Sequence, residues 1–102
     1  MTEGQKQERF AELLIVLMLF IHSKGCKIRI GDVFAKMGHK RHSFHYRKLA
    51  ADLNVFKDGE YLTQTIQHEP FGTFWMRLDP MCVWGGDWGD GNHYQFGRDG
   101  ID

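Results

Sequence analysis

Several things are scarce in this sequence. Its 102 residues include only two cysteines, thirteen Lys and Arg are cancelled by thirteen Asp and Glu, and the long apolar run, Leu13 to Ile21, stops at nine residues. Two cysteines, Cys26 and Cys82, are fewer than a small secreted disulfide scaffold carries. One bridge could form, but two free thiols in a protein made in the cytosol are the expectation. Zero net charge removes the electrostatic case for a dedicated nucleic-acid binder, whose pI usually exceeds ~9. Nine apolar residues closed by Glu12 and His22 fall short of the ~20 that a membrane helix needs, so no stable membrane insertion is expected. Lys6 and Arg9 precede that run, yet His22-Ser23-Lys24-Gly25 offers no small-x-small cleavage site, so no signal peptide is evident. A chain of this length buries only ~60–70% of its unfolded surface and supports one core, with no room for a separate binding module. At 42% hydrophobic and 25% charged residues it is too apolar and too balanced for disorder.

The pattern along the chain predicts a single α+β domain over residues 1–102, an antiparallel sheet with an N-terminal helix and a short second helix. Thr2-x-x-Gln5 fits a capping box, which starts a helix from about residue 3 to 23, and Gly25 stops it. The near-continuous apolar stretch of this helix predicts that other elements cover it. Lys27-Ile28-Arg29-Ile30 alternates like a strand that continues through Asp32-Val33-Phe34, and 35–44 reads as a loop. Asp58-Gly59 between apolar runs predicts a hairpin with strands at about 49–57 and 60–63. Pro70 opens a short helix that ends near Leu78, before Asp79-Pro80. Residues 85–91 read as an irregular loop, and 92–96 as a short strand.

Six histidines, at positions 22, 39, 42, 45, 68 and 93, are many for this length, and histidine is the commonest metal ligand. His45 and Asp52 lie seven residues apart. On one helix that separation is ~10.5 Å of rise, too far to share an ion, whereas a loop histidine facing a strand carboxylate can converge on one. Asp52 interrupts the apolar segment Leu49-Ala50-Ala51-Asp52-Leu53, where a carboxylate is costly unless paired or metal-bound. Strand alternation puts Ala50, Asp52 and Asn54 on one face, with Ala51, Leu53 and Val55 on the other. Asp90 precedes His93 by three residues, within reach of the same ion. A zinc hydrolase needs three protein ligands, an open position and a nearby base, and His45, Asp52, His93 and Asp90 match those roles. The bland readings are a solvated loop for His39 and His42, a helix-end dipole partner for His22, a helix-start residue for His68, and buried small hydrophobes for the cysteines. Asp87 is the rival base, at a less apt spacing.

Ser43-x-His45-x4-Ala50-x-Asp52 resembles the signature of the zinc D-Ala-D-Ala carboxypeptidase and endopeptidase family. Leu53 to Thr63, Phe74-Trp75-x-x-Leu78-Asp79-Pro80 and Trp84-Gly85-Gly86-Asp87-x-Gly89-Asp90-Gly91-Asn92-His93-Tyr94 are similar to its small phage members. The likeness covers about residues 26–96. It implies a Zn2+ ion held by His45, Asp52 and His93, with Asp90 as general base. It also implies an endolysin-type hydrolysis of the peptidoglycan stem peptide, often between L-alanine and D-glutamate. Ser43, Lys36, Arg41, Trp84 and Trp88 are the candidate substrate contacts. The sequence departs from the family pattern at Lys48, where Gly is usual, and at Ala35-Lys36, where many members carry an Arg. The expected setting is synthesis in the host cytoplasm and action at the wall or periplasm after release by a separate permeabilising protein, as a monomer. Two other readings stand beside it. One is an inactive member that binds zinc or wall peptide. The other is a single-stranded nucleic-acid module using the five basic residues interleaved with aromatics in 36–48. Asp87, Asp90, Asp99 and Asp102 argue against a uniformly basic face, so no nucleic-acid partner is expected.

Overall fold

Thr2 starts the first helix as its spacing to Gln5 predicts. The Gln5 backbone N–H donates to the Thr2 hydroxyl at 3.1 Å, and the Thr2 N–H donates to the Gln5 side chain at 2.8 Å, satisfying two donors the helix cannot. The helix, α1, spans Glu3–Ser23 in the computed structural model, which describes residues 1–31 and 47–98. Phe10, Leu13, Leu14, Leu17 and Ile21 recur at helical spacing and are buried. The expectation that the whole run is covered is corrected: Ile15, Val16 and Leu19 are exposed. At 3.6 residues per turn, a continuous run of nine must send some members to the outer face. Among the described residues no helix is long and apolar enough to cross a membrane.

Among the described residues five strands follow: β1 (Cys26–Ile30), β2 (Ala50–Lys57), β3 (Glu60–Tyr61), β4 (Cys82–Trp84) and β5 (His93–Phe96). They form one antiparallel sheet in the order β1-β2-β5-β4, with β3 paired to β2. A second helix, α2, spans Glu69–Leu78 after a 3-10 turn at Thr65–His68. This is the α+β domain expected, with one strand more than the pattern predicts. β4 has three residues, all buried, so it shows no alternation to detect. Asp58 and Gly59 both take positive φ, the geometry of a type I′ hairpin turn joining β2 to β3. The predicted continuation of β1 over 32–34 and the loop 35–44 lie outside the described residues.

Both helices pack on one face of the sheet. Trp75 of α2 is fully buried, and its indole N–H is shared between the carbonyls of Val83 and Gln95 at 3.1 and 3.2 Å, so one side chain ties α2 to both β4 and β5. Phe10 and Tyr94 meet Trp75 edge to face. Phe20 of α1 stacks on Phe74 of α2 at 3.9 Å between ring centres. Cys26 opens β1 and Cys82 opens β4, at opposite edges of the sheet, and both are free and buried.

Candidate metal centre

The alternation read from β2 holds. Ala51, Leu53 and Val55 are buried in the core, while Asp52 and Asn54 are half-buried on the other face. In the pairing of β2 with β5, Asp52 stands directly opposite His93, and Ala50 opposite Gln95. Opposite residues of an antiparallel pair have Cβ atoms only ~4.5–5.5 Å apart, so register alone brings together two residues 41 apart in sequence. His93 Nδ1 lies 3.3 Å from Asp52 Oδ1. On the same face, Asn54 Oδ1 accepts from the Asn92 amide at 3.0 Å and from the Tyr61 hydroxyl at 3.2 Å.

The loop before β5 delivers Asp90. A 3-10 turn at Gly85–Trp88 leads into it; the Asp90 N–H donates to the Gly85 carbonyl at 2.9 Å, and the His93 N–H to the Asp90 carbonyl at 3.1 Å. A Cβ on Gly85 would lie 2.3 Å from the Asp90 carbonyl oxygen and 2.7 Å from the His93 Cβ, so only glycine permits this close fold. The Asp90 carboxylate ends 4.0 Å from His93 Nδ1 and is half exposed. Trp88 is exposed, and its ring centre lies 5.7 Å from that of His93, forming one wall of the site.

One ligand atom from each of Asp52, Asp90 and His93 falls within 4.8 Å of the others. Ligands bonded at ~2.1 Å to a tetrahedral ion stand ~3.4 Å apart. The Asp52–His93 pair, at 3.3 Å, is already at that spacing, and Asp90, at 4.0 Å from the imidazole, stands back from it. An imidazole nitrogen and a carboxylate are also the donor types that zinc accepts. This donor set could therefore hold a divalent ion. Burial alone would push the His93 pKa down; its hydrogen bonds to Asp52 and Gln95 and the charges of Asp52 and Asp90 outweigh burial and hold it above the ordinary value. The site attracts positive charge even when the only cation is a proton.

Of the residues singled out in the sequence, Asp52, Asp90 and His93 come together, and Trp88 borders them. Asp87 is exposed and outside the cluster. Trp84, expected either to line a substrate groove or to cover the Gly-rich loop with partial burial, takes the second place: it is buried against Gly72 and Gly86, and its indole N–H donates to the Gly91 carbonyl at 2.7 Å. It holds the Asp90 loop from behind and offers no face to a substrate. His45, the third expected ligand, lies outside the described residues, as do Ser43, Lys36, Arg41, His39 and His42. Of the basic residues in 36–48, Arg47 is paired with Glu3 through two bonds of 2.7 and 2.9 Å, which leaves its charge compensated. Lys48 takes a left-handed φ of 58°, one residue short of β2, a conformation that favours glycine. Gln95 escaped the sequence reading, because a polar residue near the end of a strand reads as solvent-facing. Its place opposite Ala50, beside His93, follows only from the register. No family model, curated protein or solved structure matches this chain.

Proposed function

We propose that this chain is a zinc peptidase that cuts an amide bond in the peptide stem of peptidoglycan, the L-alanyl-D-glutamate bond by resemblance. The observation that carries the reading is the cross-strand pair of Asp52 and His93, at ligand spacing, with the Asp90 carboxylate set back from it. Asp52 and His93 would hold the ion, with His45 as the third ligand implied by the resemblance. A bound zinc ion supplies Lewis acidity, polarising a carbonyl and acidifying water.

The chain's own residues supply the rest. Asp90 is exposed enough to meet substrate and close enough to the imidazole to act at the same centre. Its carboxylate takes a proton from the attacking water and returns it to the leaving amine. Trp88, beside the His93 ring, offers an apolar surface to a bound peptide. Asn54, which accepts from both Asn92 and Tyr61, and Asn92 itself offer amide groups on the same face to a peptide backbone.

The test is mass analysis of fragments from purified peptidoglycan incubated with the zinc-loaded protein. New L-alanine carboxyl ends and D-glutamate amino ends, lost with a chelator and restored by zinc, support the proposal. Intact peptidoglycan under zinc-loaded conditions overturns it.

A further inference from the structure

His93 bonds on both sides of its ring. Nδ1 faces Asp52 and Asp90, at 3.3 and 4.0 Å. Nε2 lies 2.7 Å from the side-chain oxygen of Gln95. Gln95 is itself held, because its amide nitrogen lies 2.7 Å from the carbonyl oxygen of Gly97. A carbonyl oxygen can only accept, so the Gln95 group facing Gly97 must be the –NH2. The group facing His93 must then be the amide oxygen, also an acceptor only. A 2.7 Å contact between that oxygen and an imidazole nitrogen requires a proton on the nitrogen. The Asp52 carboxylate is also an acceptor, but at 3.3 Å from Nδ1 against 2.7 Å for the Gln95 oxygen, so the single proton of the neutral ring belongs to the shorter bond at Nε2, which the Gly97 carbonyl orients through one amide. Gln95 and His93 are both buried, so water does not compete for these bonds. Fully buried Ala50 across from Gln95 leaves the space in which the amide lies.

We propose that Gln95 is a positioning residue that fixes the tautomer of His93, keeping the ring proton on Nε2 so that Nδ1 turns its lone pair toward the ion. This rests on the zinc reading of the site for its purpose but not for its geometry. A neutral imidazole has one donor and one acceptor nitrogen, and the acceptor alone can bind a metal. Outer partners that set this choice typically alter metal affinity ~10–100-fold when removed.

Long-range 1H–15N correlation spectra of the metal-free protein, above the ring's titration, read the tautomer directly. The wild type should show a protonated Nε2 and an unprotonated Nδ1. Gln95→Leu should give a mixed or inverted pattern and weaken zinc binding ~10–100-fold in competition with a chromophoric chelator. If the Leu variant does not fold, Gln95→Asn serves instead, since it keeps the amide but is one methylene too short. A wild-type ring protonated on Nδ1, or a folded Leu or Asn variant with unchanged tautomer and unchanged zinc affinity, overturns the inference. Its failure is separable from that of the peptidase reading. The spectra and zinc affinities need no substrate, and a protein with the stated tautomer that leaves peptidoglycan intact loses only the peptidase reading.

Discussion

Two buried histidines, His68 and His93, stand in contrasting regions of this molecule. Each bonds an acceptor oxygen through Nε2: the Leu62 carbonyl at 3.0 Å for His68, the Gln95 amide at 2.7 Å for His93. They differ at Nδ1. That of His68 is buried with no hydrogen-bond partner among the described residues, whereas that of His93 faces two carboxylates. Burial accordingly lowers the His68 pKa despite its bond to Leu62, while around His93 the carboxylates and Gln95 more than offset burial and the direction is up. Loss of water is common to both rings. What lies on the second nitrogen decides whether a buried histidine is a neutral strut or a group poised for a cation.

The largest effects should separate the two. His93→Ala should abolish zinc binding in chelator competition, while His68→Gln should leave it unchanged. Zinc affinity that survives the first change, or falls equally with the second, breaks the contrast. Asp90→Asn sharpens it: zinc should stay bound while peptidoglycan hydrolysis falls ~10²–10⁴-fold, the usual worth of a general base. Full activity in that variant removes Asp90 from its role.

Gly91 joins the two regions, and its replacement should cost less but touch both. A Cβ there would lie 2.8 Å from the Thr65 Cα and 3.3 Å from the His68 ring. Backbone cannot move aside cheaply, so Gly91→Ala should lower stability by ~1–3 kcal/mol, read as a lower urea midpoint. An unchanged midpoint would mean the loop yields freely.

The pH response follows from the sign of the His68 shift. Between its lowered folded pKa and the ordinary 6.5, the folded state holds fewer protons on this ring than the unfolded state. Its contribution to stability is complete above 6.5 and is lost as pH falls through the folded value. Urea titrations over this range should show that acid-side loss, and His68→Gln should flatten it. The smallest effect is expected at Lys48. Left-handed backbone costs a side-chain-bearing residue ~1–2 kcal/mol, and glycine's extra unfolded freedom returns part of this, so Lys48→Gly should stabilise by ~0.5–1 kcal/mol. A lowered melting temperature would show that the lysine side chain matters more than its backbone.

Much of the fold was legible wherever a local rule dominates. The capping box set the start of α1, Asp58-Gly59 set the hairpin, and Pro70 with Asp79-Pro80 bracketed α2. Alternation in β2 put Asp52 on the correct face. The features that were not legible depend on partners distant in sequence. β4 is a strand because β5 lies beside it. Ile15, Val16 and Leu19 of α1 face outward because the sheet and α2 cover only one side. Trp84 is buried because two glycines leave room for its ring. Asp52 and His93 could be named as candidates from residue type, but only the register shows that they stand opposite each other, and it alone reveals Gln95.

The positions of the two cysteines have a consequence for where the fold can survive. Two strands lie between β1 and β4, which at ~4.8 Å per strand sets them ~14 Å apart across the sheet. The register puts Cys26 beside Lys57 and Cys82 beside Phe96, at opposite ends of β2, so the two cysteines stand far beyond the ~7 Å limit for a disulfide. Burial, reinforced by the nearby charge of Asp79, also pushes the Cys82 thiol up to about 12, far from the reactive thiolate. The fold therefore contains no internal cross-link to be made by an oxidant or broken by glutathione. Its stability rests on non-covalent contacts, and passage from a reducing to an oxidising compartment leaves its covalent structure unchanged.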